Sequence, residues 1–131
     1  MRKFYVASSF KNVDTVRYVS QKLKDVGYIH TYDWTQNGRA LTFEALRSIG
    51  EQEKSAVKDS DFVIVILPAG KGSHIEMGMA LGFGKKIFLY SPNKAINDFE
   101  TTSTFYHLSE VEQCFGSIED LLAKVTELTS V

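Results

Sequence analysis

The stretch Asp61-Phe62-Val63-Ile64-Val65-Ile66-Leu67-Pro68-Ala69-Gly70-Lys71-Gly72-Ser73-His74-Ile75-Glu76-Met77 decides the fold. From Asp61 to Leu67 it is an unbroken run of β-branched and aromatic residues, which reads as a strand buried on both faces, as in a parallel sheet covered by helices. Gly70 and Gly72 let the backbone turn sharply, and Ser73 is a residue type that caps the helix expected from there to about Phe83. That reading sets a carboxylate, Glu76, in the first turn of a helix at the carboxyl end of a buried strand.

Outward from this segment, strands and helices alternate. Lys3 to Ser8 reads as the first strand. Asn12 is the expected cap of a helix with apolar Val13, Val16, Val19, Leu23 and Val26, stopped at Gly27. Tyr28 to Trp34 reads as a second, more polar strand nearer a sheet edge, and Thr35 to Ala40 as a turn-rich loop. A helix from about Phe43 to Lys58 keeps only a rough apolar stripe around Glu51, Gln52 and Glu53, so its middle turn is either solvated or does polar work. Lys86 to Tyr90 is the fourth strand, and Phe105 to Leu108 is the candidate fifth. Ser117 opens a last helix with Ile118, Leu121, Leu122, Val125 and Leu128 on one face.

This alternation predicts a single α/β domain over residues 1–131, with right-handed crossovers and a doubly wound, flavodoxin-like, three-layer architecture. Its sheet has five parallel strands in the order 2-1-3-4-5. A chain of 131 residues with 44% apolar composition supports one core. Fifteen basic against 16 acidic residues leave a net charge of -1, with no field to hold a nucleic-acid polymer. No stretch approaches the roughly 20 apolar residues of a membrane span, and the apolar run after Met1-Arg2-Lys3 is too short for a signal peptide, so a cytoplasmic location is expected. Cys114, the only cysteine, permits no internal disulfide and no cysteine metal cluster, and reads as a small core residue.

Strand order locates a site before any chemistry is considered. Ligands of such sheets bind at the carboxyl ends of the strands where the winding reverses, here between strands one and three. The bordering loops, Ser8-Ser9-Phe10-Lys11-Asn12 and Pro68 to Glu76, lead into helix N-termini, whose free N–H groups and dipoles attract anions. Glu76 has two readings at this point. Ser73-His74-Ile75-Glu76 fits the S-x-x-E capping box, in which the glutamate folds back on the serine N–H. Alternatively the dipole keeps the carboxylate ionised as a nucleophile toward a sugar anomeric carbon.

Gly72-Ser73-His74-Ile75-Glu76-Met77-Gly78-Met79-Ala80-Leu81-Gly82-Phe83-Gly84-Lys85, following Asp61-Phe62-Val63-Ile64-Val65, resembles the nucleoside 2-deoxyribosyltransferase family. That family's pattern is roughly G-T/S-x-x-E-x-G-x-A-x-x-x-G-K after a D-x-V-I strand. Tyr5-Val6-Ala7-Ser8-Ser9-Phe10 is similar to its opening strand and loop, so about the first ninety residues match in order. The resemblance implies a flavodoxin-like sheet and cleavage of the N-glycosidic bond of deoxynucleosides or their monophosphates, with the sugar passed to another base or to water.

By position, the resemblance implies Glu76 as nucleophile, Tyr5 as the residue that orients it, and Glu53 in the place of an aspartate that assists the base. Ser9 and Lys11 take the places of a serine and a basic residue that hold a 5′-phosphate in the monophosphate-hydrolysing branch. Ser8, Gly72 and Ser73 belong to the loops that would bind substrate. Six residues before the nucleophile the transferases carry aspartate and the hydrolases serine; this chain has Gly70, then Lys71, which either supplies a point charge for phosphate or is solvated. Trp34 either faces a nucleobase or packs. His74 stands outside the pattern and reads as a solvated helix-start residue or a proton carrier. The chemistry calls for no metal and no organic cofactor. The expected partner is a small nucleoside or nucleotide, the expected assembly a homodimer or larger homo-oligomer. The alternative to an enzyme is a catalytically silent nucleotide-binding or sensor domain of the same fold.

Overall fold

Strand β3, Phe62–Ile66, is buried along its whole length and occupies the middle of a five-stranded parallel sheet. The computed structural model describes residues 2–130; Met1 and Val131, the ends of the expected domain, lie outside them. The other strands are β1 (Lys3–Ser8), β2 (Ile29–His30), β4 (Lys86–Tyr90) and β5 (Val111–Cys114), and the order is β2-β1-β3-β4-β5 as the sequence predicts. In register, Tyr5 stands beside Val63 and Ser8 beside Ile66, so β1 and β3 deliver their last residues to one edge of the sheet. Helices α1 (Val13–Asp25) and α4 (Ile118–Thr129) pack together on one face, and α2 (Phe43–Asp59) packs with α3 (Lys71–Gly82) on the other. Alternate residues of β1 and β3 serve the two layers, which is why β3 can carry no polar side chain. Phe62 meets the edges of Tyr28 and Phe88 at ring distances of 5.8 and 5.7 Å.

Local signals account for several boundaries. Ser117 accepts a hydrogen bond from Asp120 N while Asp120 bonds back to Ser117 N, a capping box that starts α4. Gly27 ends the first helical segment at φ +98°, a conformation that penalises any side chain. Cys114 is buried in β5.

Four expectations need correction. The second strand does not run from Tyr28 to Trp34: β2 is two residues long, and Trp34–Gln36 is a 3-10 turn. Asp33 causes this, since its carboxylate accepts from the Thr35 N–H and hydroxyl at 3.0 and 2.5 Å and so pulls the chain out of the ladder. Phe105 to Leu108 is not the fifth strand. Thr104–His107 is a 3-10 turn led by Ser103, and the edge strand follows it at Val111–Cys114 with Val111 and Cys114 turned into the core. Helix α3 begins at Lys71, two residues before the expected Ser73, with Gly70 as its N-cap. Asn12 is the N-cap residue of α1 but gives that helix no side-chain bond.

Candidate active site

The alternation of β1 turns Tyr5 toward the α2 and α3 layer, where it is fully buried. Its hydroxyl lies 2.7 Å from Glu76 Oε2 and 3.3 Å from Glu53 Oε2, so a side chain from α3 and one from α2 converge on a single phenol. Glu76 is only 7% exposed. Because α3 starts at Lys71, this glutamate lies in the second turn, with Ile75 and Met77 beside it in sequence and Met77 buried.

The S-x-x-E stretch does not form the capping box that its spacing allows. Ser73 Oγ accepts from Gly70 N at 3.2 Å, so the serine bonds back to the cap instead of serving as one. Glu76 bonds to Tyr5 and takes no part in capping. Burial, and then the hydrogen bond and charge of Glu53, push the Glu76 carboxyl upward, and the Tyr5 hydrogen bond opposes them only in part. As the sixth residue of α3, Glu76 lies beyond the first turn, where the helix dipole favours a carboxylate most. Glu76 therefore holds its proton to higher pH than an ordinary glutamate. Burial and the two carboxyls also push the Tyr5 phenol far up, so Tyr5 stays a hydrogen-bond donor throughout.

A cleft of about 270 Å³ opens above this trio. Glu53 and Glu76 form its acidic floor; Ser8 and Ser9 line it from the loop after β1, and Gly70, Gly72 and Ser73 from the loop and first turn after β3. Trp34 closes one wall. It is 8% exposed, and its indole N–H donates to the Val6 carbonyl at 2.7 Å, so it both packs and faces the cleft. Arg17 holds the neighbouring backbone by donating to Thr35 O at 2.9 Å and Thr35 Oγ1 at 3.3 Å.

Lys11 and Lys71 are exposed and are not among the residues that line this cleft. What faces the cleft instead are the hydroxyls of Ser9 and Ser73 and the N-terminus of α3, whose first N–H groups have no intrahelical acceptor. Phe10, which sequence reasoning did not single out, is 63% exposed at the mouth, its ring 5.9 Å from that of Trp34 and tilted by 49°. An aromatic in the first loop at the reversal of winding was the signal for it. His74 faces away from the acids: Nδ1 donates to the Gly70 carbonyl at 2.8 Å and Nε2 meets the Tyr106 hydroxyl at 2.6 Å.

Larger clefts of about 320 and 500 Å³ flank His74 and Tyr106, but neither borders a carboxylate. One of about 440 Å³ beside β2 borders Glu51 and Asp59, both exposed. Chemistry therefore favours the smaller space, where paired acids, a bound phenol, hydroxyl donors and two aromatic rings meet. Among the described residues no three His, Cys, Asp or Glu side chains gather as a metal-binding group, and no helix is long and apolar enough to cross a membrane.

No protein-family model matches the sequence, and no curated protein matches it. Solved structures similar in fold include a CMP N-glycosidase of Clostridium botulinum, at 19% identity and TM-score 0.62, with 95% of this chain and 98% of that one covered. Another is a 2-deoxyribosyltransferase of Bacillus psychrosaccharolyticus, at 20% identity and TM-score 0.64, with 92% of this chain and 90% of that one covered. The chain thus shares the fold of proteins from both branches that the sequence resembles.

Proposed function

We propose that this chain is an N-glycosidic bond hydrolase or transferase of the nucleoside 2-deoxyribosyltransferase family, acting on a nucleoside or nucleoside monophosphate with Glu76 as nucleophile. The observation that carries this reading is Glu76 itself, a buried carboxyl held by Tyr5 against Glu53 on the floor of a cleft. Glu76 becomes a nucleophile once its proton, which burial makes it slower to give up, moves to the neighbouring Glu53. Glu76 Oε then forms a bond to C1′ as the C1′–N bond breaks through an oxocarbenium-like state, and Glu53 delivers the proton to the departing base. Water or a second base next attacks C1′, the ester bond to Glu76 breaks, and the sugar leaves with its new partner. Glu53 takes the attacking group's proton.

Tyr5 donates to the carboxylate throughout and keeps it aimed. Phe10 and Trp34 offer faces to a nucleobase, and the Ser9 and Ser73 hydroxyls with the α3 N-terminus offer donors to a phosphate or sugar. A cytoplasmic setting and self-association belong to the same reading. Phe43 and Leu46 of α2 are 86% and 55% exposed, an apolar surface of the kind a second copy covers.

Purified protein incubated with a panel of nucleosides and nucleoside monophosphates, CMP and dCMP among them, with and without an acceptor base, should release free base detectable by chromatography. Glu76→Gln and Glu76→Ala should abolish that release. Full activity in either variant would refute the mechanism. Binding of panel members without base release would favour the silent binding domain instead, a reading for which the bare Gly70 speaks.

A further inference from the structure

Asn12 is an ideal helix-capping residue placed at an N-cap, yet α1 receives no side-chain bond from it. Both hydrogens of its amide go elsewhere. Nδ2 donates to Ser8 Oγ at 2.9 Å and to the Pro68 carbonyl at 2.9 Å. Ser8 closes β1 and Pro68 opens the loop after β3, so one amide group spans the crevice between the two loops that line the candidate active site. Ser8 Oγ in turn donates to the Ile66 carbonyl at 2.8 Å, across the pair of residues that end the two strands. The strand ladder stops at this pair, and no further backbone bonding links the loops beyond it among the described residues.

From this arrangement we infer that Asn12 is a positioning residue: it fixes the gap across the crevice and the direction in which the Ser8 hydroxyl points. Ser8 accepts from Asn12 and spends its only hydrogen on Ile66, so it faces the cleft as an acceptor and selects a hydroxyl or amine donor on the ligand. Ser9, whose oxygen accepts only the Lys11 N–H at 3.3 Å, keeps its own hydrogen for an acceptor. Two adjacent serines thus present opposite polarity, and Asn12 imposes the difference. The consequence for catalysis rests on the N-glycosidase reading; the consequence for the loops does not.

The discriminating pair is Asn12→Asp and Asn12→Ala. Aspartate keeps the shape and caps a helix at least as well, but it cannot donate to Ser8 and Pro68. If Asn12 positions the loops, amide exchange at 9–11 and 69–72 should quicken about 10-fold or more in both variants, while exchange in α1 stays at the wild-type rate with Asp. On any nucleoside monophosphate that the wild type cleaves, kcat/KM should fall about 10- to 100-fold in both, as loosened positioning predicts. If Asn12 serves only α1, Asn12→Ala alone should quicken exchange in the first turn of that helix, Asp should restore it, and the loops should not change; that result overturns the inference. A wild type that cleaves nothing on the panel sinks the N-glycosidase reading, and the exchange rates then decide the role of Asn12 by themselves.

Discussion

Glu76→Gln should leave the protein inactive and make it more stable, by an amount that grows with pH. Burial and Glu53 raise the Glu76 carboxyl from its ordinary 4.5 to about 8 in the folded chain. In the unfolded chain the proton leaves near the ordinary value. Between those pH values the folded state holds more protons than the unfolded one, so this group's contribution is fully favourable below 4.5 and is lost as pH rises toward about 8. At about 1.4 kcal/mol per pH unit the ceiling is near 5 kcal/mol, and relaxation at an open cleft brings a realistic figure to roughly 2–4 kcal/mol. Glutamine fills the same volume, its oxygen accepts from Tyr5, and its amide donates to Glu53, so the variant loses the buried charge and keeps the bonds. For a protein of this size the gain corresponds to a Tm higher by roughly 6–15 °C at about pH 8.5. The difference should shrink to a few degrees near pH 4.5. Calorimetric melts of the two proteins across this range make the comparison. If the variant melts at or below the wild type in alkali, Glu76 is not held in a hostile environment, and the argument for its proton fails.

Tyr5→Phe removes the one contact that favours ionised Glu76, so the acid limb of the kcat/KM profile should move to higher pH and activity at pH 7 should fall about 10-fold or more; a limb that stays in place would contradict the assigned role. His30 is stacked on Phe4 at 4.6 Å with both ring nitrogens unpartnered, and burial, aided by Lys24 and opposed by Asp33, lowers it to about 4. Stability should therefore drop as pH falls from 6.5 toward 4, and His30→Phe should melt higher, by on the order of 1–2 kcal/mol near pH 5 and less at pH 7.5; parallel curves would count against this. Leu46→Glu combined with Phe43→Glu should convert a dimer to a monomer by light scattering while changing stability by less than about 1 kcal/mol, since both side chains are exposed. A monomeric wild type would remove the basis of that expectation.

The centre of the sheet was readable because β3 has no polar residue to give it a solvent face, and strands that cannot be amphipathic have one place to go. The edges were not. Beside β1, Asp33 offers the backbone a local bond that competes with the ladder, and beside β4 the apolar look of Phe105-Tyr106-His107-Leu108 outweighs the shorter Val111–Cys114. Edge strands are bonded along one side only, so local side-chain chemistry decides their length. At the candidate site, which side chains meet was legible and their states were not. The family resemblance groups Tyr5, Glu53 and Glu76, but which residue caps α3 depends on where the helix starts, and the N-cap is Gly70. The protonation of Glu76 follows from burial and from a neighbour on another helix, neither of which is local. Asn12 reads as a cap because capping is the commonest use of that residue there; its amide instead bonds Ser8, four residues back, and Pro68, across the crevice in a loop 56 residues away.

The chain has one tryptophan, and Trp34 stands on the wall of the cleft with its N–H tethered to Val6. Every photon of indole fluorescence from this protein accordingly originates beside the candidate active site, from a ring held in a fixed orientation with Phe10 at the entrance. A nucleobase stacking against the indole would dim or shift that light, so occupancy can be followed optically in the native protein, without a label and with no competing emitter of the same kind.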